Sequence, residues 1–265
     1  MIRRYGGPGM CGVGGIPLAN MGVSIGAGNG LLTNLIAYWP GNEANGNAQD
    51  AHTNALHLTD TNTVTSAAGI VYAGARQYTR ANLESHVRAG DDALLSTGDV
   101  DFTLAAWVNA DGLADYPTIA SRWGVAPNLE YRLIYYNVPN RFQFYVSNNG
   151  TATNVVSADN LGIPAIATWY LLVAWHDSVA NTINIQVNNG VANSVAHATG
   201  VYDSASPFRI ATYVPGVTIA LHWNGRIGPT AFWKSAAGGG GVLTATQRTA
   251  LYNGGLGLAY TALTT

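Results

Sequence analysis

Trp169-Tyr-Leu-Leu-Val-Ala-Trp-His-Asp177, Ser178-Val-Ala-Asn181, Thr182-Ile-Asn-Ile-Gln-Val187 and Asn188-Asn-Gly190 follow one another without a break, and this stretch decides the fold class. Trp169, Leu171, Val173 and Trp175 fall on one side of an extended chain. Ile183, Ile185 and Val187 alternate with Thr182, Asn184, Gln186 and Asn188, the period of two that marks a half-buried strand. His176, beside Asp177, falls on the outward side. Asp177–Asn181 and Asn188–Gly190 are turn chemistry, because Asn and Gly accept positive φ at little steric penalty. The stretch reads as strand, hairpin, strand, turn.

The same grammar extends in both directions. Tyr131, Leu133 and Tyr135 share one face, and Phe142, Phe144 and Val146 share another. Asn137-Val-Pro-Asn140 and Asn148-Asn-Gly150 join the runs. The expected meander covers 130–136, 141–147, 153–157, 169–177 and 181–188. Upstream, Phe102, Leu104, Ala106 and Val108 alternate with Thr103, Ala105, Trp107 and Asn109. Antiparallel strands this numerous must close or stack to bury their apolar faces, so a sandwich or jelly roll follows. Trp39, Trp107, Trp169, Trp175 and Trp233 sit in apolar alternation and belong to the core. One helix interrupts the pattern. Thr244-Ala-Thr-Gln247 is a capping box, Leu243, Gln247, Ala250 and Leu251 keep helical spacing, and Asn253-Gly254-Gly255 supplies a left-handed stop, which predicts a short helix over 244–252.

Composition narrows the function classes. Only 10% of the 265 residues are charged, 14 acids against 12 bases, where an ordinary soluble domain carries about 25%. Lys234 is the only lysine; 32 glycines and 24 asparagines fill the gap. Disorder is excluded by the 48% hydrophobic content, and a basic nucleic-acid binder by the net charge of −2. No apolar run approaches the roughly 18 residues of a membrane span. The lone Cys11 excludes an intramolecular disulfide frame. The basic opening Arg3-Arg4 has no apolar stretch behind it, so no secretion signal is expected. Glycines crowd residues 1–34, and no charged side chain occurs in 5–34. Such a segment cannot build its own core. It is either a loose tail or an extended arm that orders against a neighbouring subunit, with Arg3, Arg4, Ile16, Leu18, Val23 and Ile25 as its contact residues. The expected division is an arm over 1–34 and a jelly roll over 35–265. One lysine also leaves few edge-strand safeguards against association, which favours a homo-oligomer or a place in a larger assembly.

Five motifs in order carry a resemblance: Leu35-Ile-Ala-Tyr-Trp39 before Gly41-Asn-Glu-Ala-Asn-Gly-Asn47; Asp101-Phe-Thr-Leu-Ala-Ala-Trp107; the Trp169 strand; its Asn-Gly hairpin; and Trp223-Asn-Gly-Arg-Ile-Gly-Pro-Thr-Ala-Phe-Trp233 followed by Leu243-Thr244 and Ala250-Leu-Tyr-Asn-Gly-Gly255. Over about 35–260 the chain resembles the laminin-G-like or concanavalin-A-like jelly-roll family. The resemblance implies an all-β sandwich of two antiparallel sheets. It also implies a calcium ion at the Asn-rich loop, with Asp50 and Asn47 the candidate ligands. Gly228 stands where many relatives carry an aspartate of that site, so no cofactor is required of this chain. Jelly rolls of this type behind a Gly-rich arm are similar to bacteriophage virion components (decoration proteins, tail fibres), which implies a virion location and other virion proteins as partners.

Chemistry is sparse. Retaining glycosidases of this fold need two carboxylates about 5–5.5 Å apart. Glu43, Glu84 and Glu130 are the only glutamates, scattered and without an acidic neighbour at i+2 or i+4; Asp99 and Asp101 sit at a strand entry. The six histidines, including the His52/His57 pair, show no metal spacing, and no nucleophile elbow frames a serine. The chain therefore reads as a non-enzyme. Aromatic positions at strand ends and loops, Tyr116, Trp123, Tyr136 and His222, are the candidates for contacting a host-surface polysaccharide. The expectation is a non-enzymatic virion protein with a lectin-like jelly roll; a free carbohydrate-binding module and a glycan hydrolase are the alternatives.

Overall fold

A computed structural model describes residues 28–213 and 221–265. The arm residues Arg3, Arg4, Ile16, Leu18, Val23 and Ile25 lie outside the described residues. Among the described residues, strands run in chain order: β1 (Leu35–Trp39), β2 (Thr59–Thr61), β3 (Thr65–Ala68), β4 (Gly74–Tyr78), β5 (Ser85–Val87), β6 (Asp101–Ala110), β7 (Thr118–Trp123), β8 (Leu129–Tyr136), β9 (Arg141–Val146), β10 (Asn154–Ser157), β11 (Trp169–Asp177), β12 (Thr182–Val187), β13 (Asn193–Ala196), β14 (Phe208–Ile210) and β15 (Gly225–Ser235). Helix α1 (Ala245–Tyr252) follows. The strands form two antiparallel sheets: β13-β12-β11-β6-β15-β4-β3 with β1 also on β15, and β10-β9-β8-β7-β14-β5-β2. This is a concanavalin-A-like jelly-roll sandwich.

The predicted meander is β8 to β12, each strand within two residues of its expected bounds. Asn140, Asn181 and Asn188 take positive φ at the turns, as their chemistry dictates. Helix α1 begins at Thr244, whose hydroxyl accepts from the Gln247 amide while the Gln247 side chain accepts from the Thr244 amide, and it stops at Asn253 in the left-handed region.

Two layers of apolar side chains result. Between the sheets lie Trp39, Phe102, Leu104, Val108, Tyr131, Leu133, Phe144, Ile183, Ile185 and Phe232. Outside the eight-stranded sheet lies a second cluster, with Trp107, Leu171, Val173, Trp175 and Trp233 beneath Leu31, Leu243, Leu251 and Leu263. Residues 28–34, helix α1 and the C-terminal segment form this cover. Trp233 Nε1 donates to the Leu31 carbonyl at 2.8 Å, Leu32 N to the Thr264 carbonyl at 2.9 Å, and Tyr38 Oη to the Leu258 carbonyl at 2.7 Å. The cover lies close: Gly257 has φ +68° and a Cβ there would stand 2.8 Å from Trp107 Nε1, so glycine is required.

The cover corrects two expectations. The polar side of β12, expected in water, is buried; Arg248 of α1 donates to Gln186 Oε1 at 2.6 Å and Thr249 to Asn189 Oδ1 at 2.9 Å. His176, expected outward, is fully buried between the sheets, where it touches the rings of Phe102 and His197. With Trp175 pointing into the covered layer, alternation sends His176 inward.

Candidate functional site

Among the described residues the seven-stranded sheet has no such cover, and its outer face carries polar and aromatic side chains. Tyr131, Leu133 and Tyr135 of β8 point into the core, so Arg132 and Tyr136 point out. Arg132 is paired across the sheet with Tyr145 of β9 and with Ser121 of β7. Trp123 ends β7, and Tyr213 follows β14. The chain before β7 continues alongside β8: Asn137 N donates to the Asp115 carbonyl and Tyr135 N to the Pro117 carbonyl, which sets Tyr116 beside Tyr136.

These residues make a cup of about 300 Å³ lined by Tyr116, Arg132, Tyr136, Tyr145 and Tyr213. Tyr116 and Tyr136 form its mouth, with ring centroids 6.0 Å apart and planes tilted by 57°. The Arg132 guanidinium forms its floor, 4.7 Å from the Trp123 centroid, 4.5 Å from Tyr145 and 5.1 Å from Tyr213. These are cation–π distances. Burial pulls the Arg132 pKa below its ordinary value, while the surrounding tyrosines favour the charge.

A bulge keeps the neighbouring acid out. Arg122 is opposite Tyr131 and Trp123 is opposite Leu129, so Glu130 is the extra residue of β8. A bulge re-aims side chains. The Glu130 carboxylate meets Arg122 Nε at 2.6 Å and accepts from Thr97 and Ser204; both charged side chains are fully buried. Burial works against the Arg122 charge, and Glu130 overrides it, holding the guanidinium above its ordinary pKa.

The residues expected from sequence fall in different places. Tyr116, Trp123 and Tyr136 meet at the cup. Trp123 is only 3% exposed, so it supports Arg132 from below rather than facing solvent. His222 does not belong to the cup: it is fully buried, with Nδ1 3.2 Å from the Glu84 carbonyl and Nε2 3.3 Å from Thr212 Oγ1. Burial lowers its pKa. Arg132, Tyr145 and Tyr213 were missed. The signal for the first two was the complementary side of strands whose inward residues were already assigned.

The Asn-rich loop after β1 is held by Asp50. Its Oδ1 accepts from the amides of Tyr38 and His52, both at 2.9 Å, and its Oδ2 from Leu56 N at 2.8 Å. Asn47 Oδ1 serves a different amide, that of Asp60. Calcium takes six to eight oxygen ligands. Both Asp50 oxygens already accept main-chain N–H groups and Gly228 brings no carboxylate, so these residues as placed do not make a calcium cage. The other candidate acids are engaged as well. Glu84 accepts from Thr79 N and Asn82, and Asp101 from Ser178 and Gly238 N; Glu43 accepts from Gln49 N through Oε1 alone, its Oε2 being buried with no partner among the described residues.

Family comparison places this architecture. The profile of the concanavalin A-like lectin/glucanases superfamily matches residues 80–239, more than half of the chain. The chain belongs to that superfamily. Comparison by sequence with curated proteins finds no match. Among solved structures, this superfamily member is similar to domain 4 of AbnA, an extracellular GH43 arabinanase of Geobacillus stearothermophilus solved with arabinotriose. The identity is 14% and the TM-score 0.58, over 82% of this chain and 97% of that one. It is also similar to the receptor binding domain of botulinum neurotoxin mosaic serotype C/D, at 10% identity and a TM-score of 0.61, over 83% of this chain and 51% of that one. A botulinum neurotoxin type C structure, whose cell entry depends on two ganglioside molecules, matches at 10% identity and a TM-score of 0.54, over 83% of this chain and 51% of that one. The superfamily member thus spans about half the length of the neurotoxin domains. At these identities the likeness is one of fold.

Proposed function

We propose that this chain is a non-catalytic glycan-binding domain and that the cup on the outer face of the seven-stranded sheet is its binding site. The observation that carries the proposal is the Tyr116–Tyr136 pair standing over Arg132. Two ring faces offer apolar surface to the CH face of a sugar, and phenol and guanidinium groups offer hydrogen bonds to its hydroxyls. The neighbours solved with arabinotriose and dependent on gangliosides support a sugar ligand. The commitment of Glu84, Glu130 and Asp101 to structural hydrogen bonds supports the non-catalytic part. The test is titration of the protein against an oligosaccharide panel, with product analysis after prolonged incubation. Tyr116→Ala and Tyr136→Ala are each expected to weaken binding about tenfold, or ~1.4 kcal/mol, with no new reducing ends released. Binding indifferent to both substitutions, or release of reducing ends, overturns the reading.

A second observation supports the finer reading of an assembly of several copies of this chain. Three of the four terminal strands, β3, β10 and β13, carry no charged side chain, whereas β2 holds Asp60; Val155 and Val195 stand 37% and 41% exposed on β10 and β13. Uncharged edges favour strand-to-strand association. Light scattering on the full chain is expected to give an oligomer that Val155→Lys with Val195→Lys breaks to a monomer; a monomer at the outset removes this reading.

A further inference from the structure

The floor of the cup holds a cation with no counter-charge. Arg80, Arg88, Arg122 and Arg141 each reach a carboxylate: Asp115, Asp92, Glu130 and Asp159. Arg132 reaches none among the described residues, and residues 1–27 and 214–220 contain no Asp or Glu. Glu130, two positions before it, is turned to the other face by the β8 bulge. The Arg132 Nε is buried and makes no hydrogen bond. Arg209 adds a second guanidinium without a carboxylate beside the same residues; it donates to the carbonyls of Tyr213 at 2.7 Å and Trp123 at 3.4 Å, and its own Nε is buried with no hydrogen bond among the described residues.

Arg132 is half-buried against aromatic rings and has no carboxylate to balance its charge, and an anion that enters the cup supplies one. Arginine's planar fork matches a carboxylate with two parallel hydrogen bonds. The tyrosine mouth favours a ring with apolar CH faces over a bare inorganic ion. We infer that the cup takes a carboxylate-bearing sugar, a uronic or nonulosonic acid residue of an acidic glycan, with the carboxylate on Arg132 and the ring against Tyr116 and Tyr136. This inference rests on the glycan-binding reading and deepens it.

The experiment is calorimetric titration of the full chain with oligogalacturonate, oligoguluronate and oligosialic acid, each beside its methyl ester, plus a sulfated neutral oligosaccharide. At least one free acid is expected to bind ten times or more tighter than its ester, with the preference shrinking as salt rises. Arg132→Gln is expected to bring acid and ester to equal affinity, and Arg132→Lys, which keeps the charge but loses the fork, to leave a smaller preference for the acid. Acid and ester binding equally in the unaltered chain overturns the carboxylate assignment and leaves glycan binding standing. A sulfated sugar binding as tightly as the acids overturns it in favour of a general anion site. Failure of every sugar, charged or neutral, sinks the glycan reading itself. Should Arg132→Gln not fold, the acid-to-ester ratio of the unaltered chain and the lysine variant decide.

Discussion

The two sheets have outer faces of the same raw material and opposite fates. On the eight-stranded sheet, Trp107, Trp169, Trp175 and Trp233 lie under residues 28–34, helix α1 and the C-terminal segment, with Arg248 4.3 Å from the Trp175 ring and Arg226 5.5 Å from Trp169. On the seven-stranded sheet, Trp123, Tyr145 and Tyr213 surround Arg132, and nothing among the described residues closes over the mouth. Arginine on aromatic rings is therefore not in itself a sign of a site. It is structural where the chain supplies its own cover and polar partners, as Gln186 does for Arg248. Over Arg132 no such cover stands among the described residues, and that is the ground for proposing a ligand there.

Substitutions break or sharpen this contrast in order of size. Trp233→Ala removes a fully buried ring and its hydrogen bond to Leu31, and with them the seat of the cover. Chemical denaturation is expected to show a loss of about 3–5 kcal/mol; a loss below 1 kcal/mol means that the cover does not stabilise the domain.

The next effect lies between the faces. His86 is fully buried beside Arg76 and Tyr78, and burial lowers its pKa from 6.5 to about 4. Its Nε2 lies 2.9 Å from the Arg76 guanidinium and 3.1 Å from the Gly46 carbonyl, and its Nδ1 2.8 Å from the Tyr78 hydroxyl. Below pH 6.5 the unfolded chain takes up a proton that the folded chain refuses. Stability present above pH 6.5 is lost as pH falls toward 4, by about 3 kcal/mol in full. Denaturation midpoints across that range check it, and a flat profile contradicts the buried neutral His86.

Thr244→Ala removes the cap of α1 and is expected to cost about 1 kcal/mol, read as an earlier melt. If the helix only decorates the cover, the melt will not move. The smallest stability effect belongs to the open face. Tyr116→Ala and Tyr136→Ala are expected to change stability by less than about 1 kcal/mol while weakening sugar binding about tenfold. A large destabilisation from either would make the cup a packing feature and erase the contrast.

Much of the fold was legible because strand and helix signals are local. The alternation around Trp169 and Ile183, the Asn turns and the Thr244–Gln247 box each lie within a few residues, and each element formed where those residues put it. The cup was half legible. Tyr116, Trp123 and Tyr136 stood out as aromatics near strand ends, whereas Tyr213 lies far along the chain and joins them only through the pairing of β14 with β7. His222 looked equivalent to them in sequence and is buried, because nothing local distinguishes a histidine under a loop from one above it.

The sequence by itself determined the period of each strand, the caps of the helix, the shortage of charge and the absence of an acid in the two undescribed segments. Tertiary structure alone decided which outer face is covered, which way Glu130 turns at its bulge, and that Arg132 is left without a carboxylate. Periodicity tells a side chain which side of its own strand it takes. Whether that side meets a second sheet, the chain's own termini or water depends on contacts between residues far apart in sequence, and those are set only when the whole sandwich closes.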